Sequence, residues 1–224
     1  MNRYYDTLIF DLDGTLHDSK SLVLKVHETC VTKLSFKLST EIFLGLFGKP
    51  IHEVRKELSI ILTNEQISTF LNCYFTKLLE IVNQGQTCLF PGSAEVLNFL
   101  KGAGWKLAIC TNVHTPFIKV YREIFNLDKW FSGDGTSFYW SGKSEQEDET
   151  KEWMIQQILE ELNSKAAIMV GDRKVDIDAA RKNNIASIGC LYGFGSRDEL
   201  KDADYFLNNI RELPALLEKI NPRG

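Results

Sequence analysis

The stretch Thr7-Leu8-Ile9-Phe10-Asp11-Leu12-Asp13-Gly14-Thr15 decides how the rest of the chain is read. Three consecutive apolar residues run directly into two carboxylates and a glycine. A short apolar run with that ending reads as a buried strand that delivers Asp11 and Asp13 to its carboxyl end. In an open parallel sheet that end is where ligands bind. The rest of such a site must come from other parts of the chain.

Two further apolar runs end in the same way. Lys106–Cys110 leads into Thr111-Asn112, and Ala166–Val170 leads into Gly171-Asp172. Ala186–Leu191 and Tyr205–Leu207 read as additional strands, with a short edge strand near Phe138–Trp140 inside a Gly- and aromatic-rich segment. Helical patterns separate them. Pro91-Gly92-Ser93 opens a helix carrying Val96, Leu97 and Leu100, and Thr115-Pro116 opens another. Lys151–Leu162 shows Met154, Ile155, Ile158 and Leu159 on one face, and a further helix runs from about Asp176 to Lys182. Ser196–Glu199 and the segment around Pro214–Ile220 supply the last helical turns. Strands alternating with helices imply an α/β fold, a doubly wound, Rossmann-like parallel sheet core.

The stretch from Lys20 to Asn83 breaks this alternation. Ser19 reads as an N-cap before Leu22, Val23, Val26, Cys30 and Leu34 at helical spacing. Ser39–Leu46 and Ile51–Ser59, the latter opened by Pro50, read as helices. Thr63-Asn64-Glu65-Gln66 has the pattern of a capping box before Ile67, Phe70, Leu71 and Tyr74. A block this long is an inserted all-helical cap domain, not a loop. The expected division is a core of residues 1–16 and 88–224 and a cap of residues 17–87.

Composition narrows the function classes. With 224 residues, 44% hydrophobic and 25% charged, the chain is long enough to bury a full core and hold a smaller insertion. A net charge of −4 leaves no basic footprint for duplex nucleic acid. No apolar run is long enough to span a bilayer, and Asp6, Asp11 and Asp13 interrupt what would be a secretory signal. Five scattered cysteines without Cys-x-x-Cys spacing argue against a disulfide framework or zinc site and fit a cytoplasmic protein.

If the three strands neighbour one another, their polar ends converge on one crevice. Several carboxylates at one point repel unless a cation binds. Oxygen ligands without His or Cys suit a hard ion, which makes magnesium the expected cofactor, and magnesium would attract and orient a phosphate.

At these residues the chain resembles the haloacid dehalogenase superfamily of phosphatases. Asp11-Leu12-Asp13-Gly14-Thr15 is similar to the first of its four motifs, Thr111 to the second, Lys151 to the third, and Gly171-Asp172-Arg173-Lys174-Val175-Asp176 to the fourth. The place and size of the helical block resemble the small α-helical cap of that family. Leu191–Ser196 is similar to phosphoglycolate-phosphatase-like members. The resemblance implies a phosphoric monoester hydrolase acting on a small phosphorylated metabolite. Asp11 would be the nucleophile that becomes an aspartyl-phosphate, and Asp13 the general acid and then base. Thr111 and the Asn112 amide would bind the phosphoryl oxygens, and Lys151 would offset negative charge there. Magnesium would be held by Asp11, the Asp13 backbone carbonyl and Asp172, with Asp176 one layer further out.

Other readings of the same residues stay open. Lys143 competes with Lys151 for the role of site lysine. Asp172 and Asp176 are also what a helix N-terminus favours. Lys49, Arg55 and Lys56 could recognise a substrate carboxylate or second phosphate, with Lys49 the best placed, or form a solvated face. His17 and His52 could face the cleft or be structural, and Phe138, Tyr139 and Trp140 read as packing residues. The substrate is expected to be phosphoglycolate-like or a nucleoside monophosphate. A phosphomutase of the β-phosphoglucomutase type shares the motifs, although Gly48-Lys49-Pro50-Ile51-His52 lacks the arginine that such mutases carry in the cap loop. A non-catalytic regulatory protein on the same fold is the reading from another class. Monomer and homodimer are both compatible with the sequence.

Overall fold

The structure is a computed structural model, and it describes residues 5–49, 51–140, 150–164 and 166–220. Pro50, Lys143 and Glu145–Glu149 lie outside the described residues. In chain order the elements are β1 (Thr7–Phe10), α1 (Lys20–Leu34), α2 (Thr40–Leu46), α3 (Ile51–Leu58), α4 (Asn64–Asn83), α5 (Ser93–Gly102), β2 (Lys106–Thr111), α6 (Thr115–Ile124), α7 (Asp128–Phe131), β3 (Thr136–Trp140), α8 (Lys151–Glu161), β4 (Ala167–Gly171), α9 (Lys174–Lys182), β5 (Ala186–Cys190), β6 (Tyr205–Leu207) and α10 (Leu213–Ile220).

The six strands form one parallel sheet in the order β3-β2-β1-β4-β5-β6. The winding reverses at β1, which lies between β2 and β4, and that reversal opens a crevice at the carboxyl edge. Alternation along the strands divides the core. Leu8, Phe10, Leu107, Ile109, Ile168 and Val170 pack in the larger cluster with Leu97 and Leu100 of α5 and Leu213 and Leu217 of α10. Ile9, Ala108, Cys110 and Met169 pack in the smaller one, with Met154, Ile155 and Ile158 of α8 and Ala180 of α9. Leu8, Ile9 and Phe10 are all fully buried. A one-residue slip of β1 would exchange their faces, so packing fixes the register that places Asp11.

Helices α1 to α4 form the all-helical insertion between β1 and β2. Its core joins Leu22, Val23, Val26 and Cys30 of α1 to Ile67, Phe70, Leu71 and Tyr74 of α4. The expected capping box of α4 is formed: Thr63 Oγ1 accepts from the Gln66 N–H, and Gln66 Oε1 accepts from the Thr63 N–H. Ser19 does not cap α1 through its side chain, because it sits in a narrow neck. There the Asp18 N–H donates to the Cys88 carbonyl and the Phe90 N–H to the Leu16 carbonyl.

Three further elements differ from expectation. Helix α7 is a single turn that the sequence pattern does not announce; burial of Trp130 and Phe131 holds it. Ser196–Glu199 forms a hydrogen-bonded turn rather than a helix. Helix α9 starts at Lys174, two residues before the expected Asp176, because Asp176 accepts from the Arg173 N–H and so closes the first turn. Among the described residues no helix is long and apolar enough to cross a membrane.

Candidate active site

Register brings the site together. Phe10 pairs with Ile109 on one side and Val170 on the other. The carboxyl ends of all three strands therefore meet at one edge of the sheet: Asp11 just after β1, Thr111 as the last residue of β2, and Asp172 just after Gly171 ends β4. Asp11, Thr111, Lys151, Asp172 and Asp176 are all buried.

Lys151 is the centre of charge. It opens α8 with Thr150 as N-cap, and its Nζ lies 2.9 Å from Asp11 Oδ1 and 2.6 Å from Asp176 Oδ1. The other Asp176 oxygen accepts from the Arg173 N–H at 2.9 Å. Asp172 accepts from the Phe194 N–H at 2.7 Å and from the Thr15 hydroxyl at 3.3 Å. Oxygens of Asp11, Asp172 and Asp176 lie within 4.8 Å of one another. The sequence reading put Asp176 one layer out, fixing a metal-bound water or Lys151; it does hold Lys151, and its carboxylate also lies beside those of Asp11 and Asp172.

Glycines make this crowding feasible. At Gly14, whose φ is +80°, a Cβ would lie 2.3 Å from Asp172 Oδ2; at Gly171 it would lie 2.3 Å from Asp176 Cγ. Both positions are filled by the carboxylates they cradle. Gly193 does the same from the loop after β5, where a Cβ would lie 2.4 Å from Asp172 Oδ2.

The electrostatics follow from burial. Burial raises the Asp11 carboxyl to about 6; Lys151 opposes that rise and Asp176 adds to it. Burial and the neighbouring Asp11 and Asp176 push Asp172 well above the carboxylate range. Burial acts against the Lys151 ammonium, but Asp11 and Asp176 outweigh it and hold the group charged, above the ordinary lysine range. When all are ionised, three buried carboxylates against one ammonium leave an excess of two negative charges. An all-oxygen donor set with that excess fits a hard divalent cation.

Asp13 stands beside this cluster, with its side chain on a different network. Asp13 Oδ1 is 2.5 Å from Nδ1 of His17, and Nε2 of His17 meets the Thr87 hydroxyl. His17 is fully buried against Tyr121 and Phe125. It is the site residue that sequence reasoning left undecided, and its position four residues after Asp13 is the only signal. Asn112 donates from Nδ2 to the Gly48 carbonyl of the cap at 2.8 Å, and its Oδ1 has no partner among the described residues. The Val113 N–H donates to the Thr111 hydroxyl at 3.3 Å.

The cap residues do not all behave as expected. Lys49 Nζ is engaged by Glu57 at 2.6 Å, while His52, Arg55 and Lys56 are exposed. Arg173, not singled out in the sequence, ties core to cap. It pairs with Glu199 at 2.8 Å and donates to the Leu44 and Phe47 carbonyls.

Known proteins match along the whole of this arrangement. The profile of the haloacid dehalogenase-like hydrolases matches residues 8–190. The phosphoglycolate phosphatase of Colwellia psychrerythraea is 30% identical over 209 residues, covering 87% of this chain and 88% of that one. The 5'-nucleotidase of Pseudomonas aeruginosa is 27% identical over 206 residues, covering 88% and 87%. A crystal structure of a predicted phosphatase from Clostridium acetobutylicum is 31% identical, with a TM-score of 0.77 over 96% of this chain and 100% of that one.

Proposed function

This chain belongs to the haloacid dehalogenase-like hydrolases, and from that premise we propose that it is a magnesium-dependent phosphatase that forms an aspartyl-phosphate on Asp11. The observation that carries the reading is the Lys151 ammonium bridging Asp11 and Asp176 beside Asp172, at the edge where Thr111 also emerges. We assign residues 17–87 to the cap and residues 1–16 and 88–224 to the core, and place the enzyme in the cytoplasm acting on a small phosphorylated metabolite.

In this mechanism the Asp11 carboxylate attacks phosphorus, and the bond from phosphorus to the ester oxygen breaks. Asp13 gives its proton to that oxygen, which leaves as an alcohol. Asp13 then takes a proton from water; the water oxygen bonds to phosphorus, Asp11 is released, and inorganic phosphate is the second product. The Thr111 hydroxyl and the Asn112 backbone N–H hold phosphoryl oxygens, while Lys151 offsets the charge on Asp11 and keeps it ionised. His17 orients Asp13. Asp11, the Asp13 carbonyl and Asp172 would hold Mg²⁺, with Asp176 fixing Lys151; the ion supplies charge neutralisation for the phosphoryl group.

The test is a panel of phosphate esters assayed with Mg²⁺, using Asp11→Asn as control. Turnover is expected for the wild type and absent from the variant and in excess EDTA. Hydrolysis that survives Asp11→Asn overturns the nucleophile, and full activity in EDTA overturns the metal requirement.

A further inference from the structure

The crevice has two chemically different ends. At the sheet edge lie Asp11, Asp13, Thr111, Asn112 and Lys151. Towards the cap the lining turns aromatic, with Phe43, Phe47, Phe70, Tyr74, Phe75 and Phe117. The cavity measures about 130 Å³ over both ends, less than the ~150 Å³ of an apolar cavity that takes up benzene, and the phosphoryl group must share it, so the room for a leaving group is at most that of a single ring.

The cations that line it are already engaged. Lys151 is held by Asp11 and Asp176, Lys49 by Glu57, and Arg173 by Glu199 and the cap carbonyls. Each already has an anionic partner, so a substrate carboxylate or second phosphate would have to share or displace one. Hydroxyls of a sugar fare little better, because each polar group moved into apolar surroundings without a hydrogen bond is disfavoured. The Tyr74 hydroxyl and, nearer the sheet edge, Asn112 Oδ1 are buried without partners among the described residues, so the crevice offers a guest places for two polar atoms.

We propose that the leaving group of this enzyme is a small, uncharged, mainly apolar alcohol, no larger than a single aromatic ring and seated among the aromatics at the cap end. The proposal rests on the phosphatase reading above and narrows its substrate class. It sets aside glycolate, whose carboxylate would have to share a cation that already has an anionic partner, and polyhydroxylated sugars, which carry more hydroxyls than Tyr74 and Asn112 can meet. A nucleoside exceeds the cavity.

The kinetic test compares benzyl phosphate with 2-phosphoglycolate, glucose 6-phosphate and a nucleoside monophosphate, in Mg²⁺ at one pH. The expected result is a kcat/KM for benzyl phosphate at least tenfold above each of the others. A charged, sugar or nucleoside ester that equals or exceeds benzyl phosphate overturns the substrate class and leaves the phosphatase reading standing. Binding of non-hydrolysable analogues is measured alongside on the same protein with Mg²⁺. Benzylphosphonate is expected to bind at least tenfold tighter than phosphonoacetate. That preference without turnover of any ester keeps the apolar pocket and removes the phosphatase. Phosphonoacetate binding as tightly as benzylphosphonate overturns the pocket assignment whatever the kinetics.

Discussion

Removing the divalent ion should reverse the usual pH dependence of stability near neutrality. The metal-free cluster holds Asp11, Asp172 and Asp176 buried around one ammonium. Asp11 is raised to about 6 from 3.8, and Asp172 is displaced in the same direction. A carboxyl with a raised folded-state value takes up its proton before the unfolded chain does. Its stabilisation is complete below the unfolded value and is lost as pH rises through about 6. The full Asp11 shift corresponds to about 3 kcal/mol. Between pH ~7.5 and ~5.5 only part of it is realised, about 1 kcal/mol, and Asp172 adds to it. For a chain of this size that is a rise in Tm of roughly 2–4 °C on acidification. Calorimetry in EDTA should show it, and millimolar Mg²⁺ should abolish or invert it, because protons then compete with the ion. Asp172→Asn should shrink the EDTA slope. A metal-free Tm that stays level or falls from pH ~7.5 to ~5.5, unchanged by Asp172→Asn, refutes the excess negative charge assigned to this cluster.

Lys151→Met keeps the chain's bulk but leaves the carboxylates without a cation; in EDTA it should lose about 3–5 kcal/mol, and turnover should fall at least a hundredfold. Activity within a few-fold of wild type would count against the bridging role. Asp13→Asn should cripple benzyl phosphate far more than p-nitrophenyl phosphate, whose leaving group needs no proton; equal losses exclude Asp13 as general acid. His17→Phe keeps the packing against Tyr121 and Phe125 while removing both hydrogen bonds, so kcat for benzyl phosphate should drop several-fold with KM little changed. A rise in KM alone contradicts the positioning role. Gly171→Ala should unfold or inactivate the protein, since its Cβ would meet Asp176 at 2.3 Å. Gly102→Ala, in open space on α5, should be neutral or stabilising by up to about 1 kcal/mol. Equal melting temperatures for the two variants would remove the cradle argument.

The parts of the fold that were legible in sequence are those where one residue pattern has one structural solution. Leu8-Ile9-Phe10 before Asp11 has no role but a buried strand, and Thr63 with Gln66 forms the capping box its spacing announces. Thr111 and Asp172 could be found because each ends an apolar run. What escaped depends on contacts distant in sequence. Trp130 and Phe131 turn Asp128–Phe131 into a helix only because the sheet buries them. Lys49 reads as a free cation until Glu57 folds back on it across the start of α3. Arg173 sits inside a motif, yet its side chain serves the cap backbone, which no spacing reveals. The cap aromatics are core residues by periodicity; that some also line the crevice depends on how the insertion closes over the sheet.

That closure joins the two halves of the site physically. The carboxylate cluster sits at the sheet edge, where β1, β2 and β4 hold it in register and α8 contributes Lys151. The cap contributes aromatic bulk that keeps water from the same space, and excluding water strengthens the Lys151 interactions with Asp11 and Asp176. The neck is the joint between these functions. His17 pairs with Leu89 there, meets Tyr121 edge to face, and hydrogen-bonds both Asp13 and Thr87. On the mechanism proposed above, turning the cap about this neck would move Thr87 and loosen the histidine that orients Asp13. Proton donation to the leaving alcohol would then be best aligned with the cap shut over it, the arrangement in which stray water is also kept from the reaction.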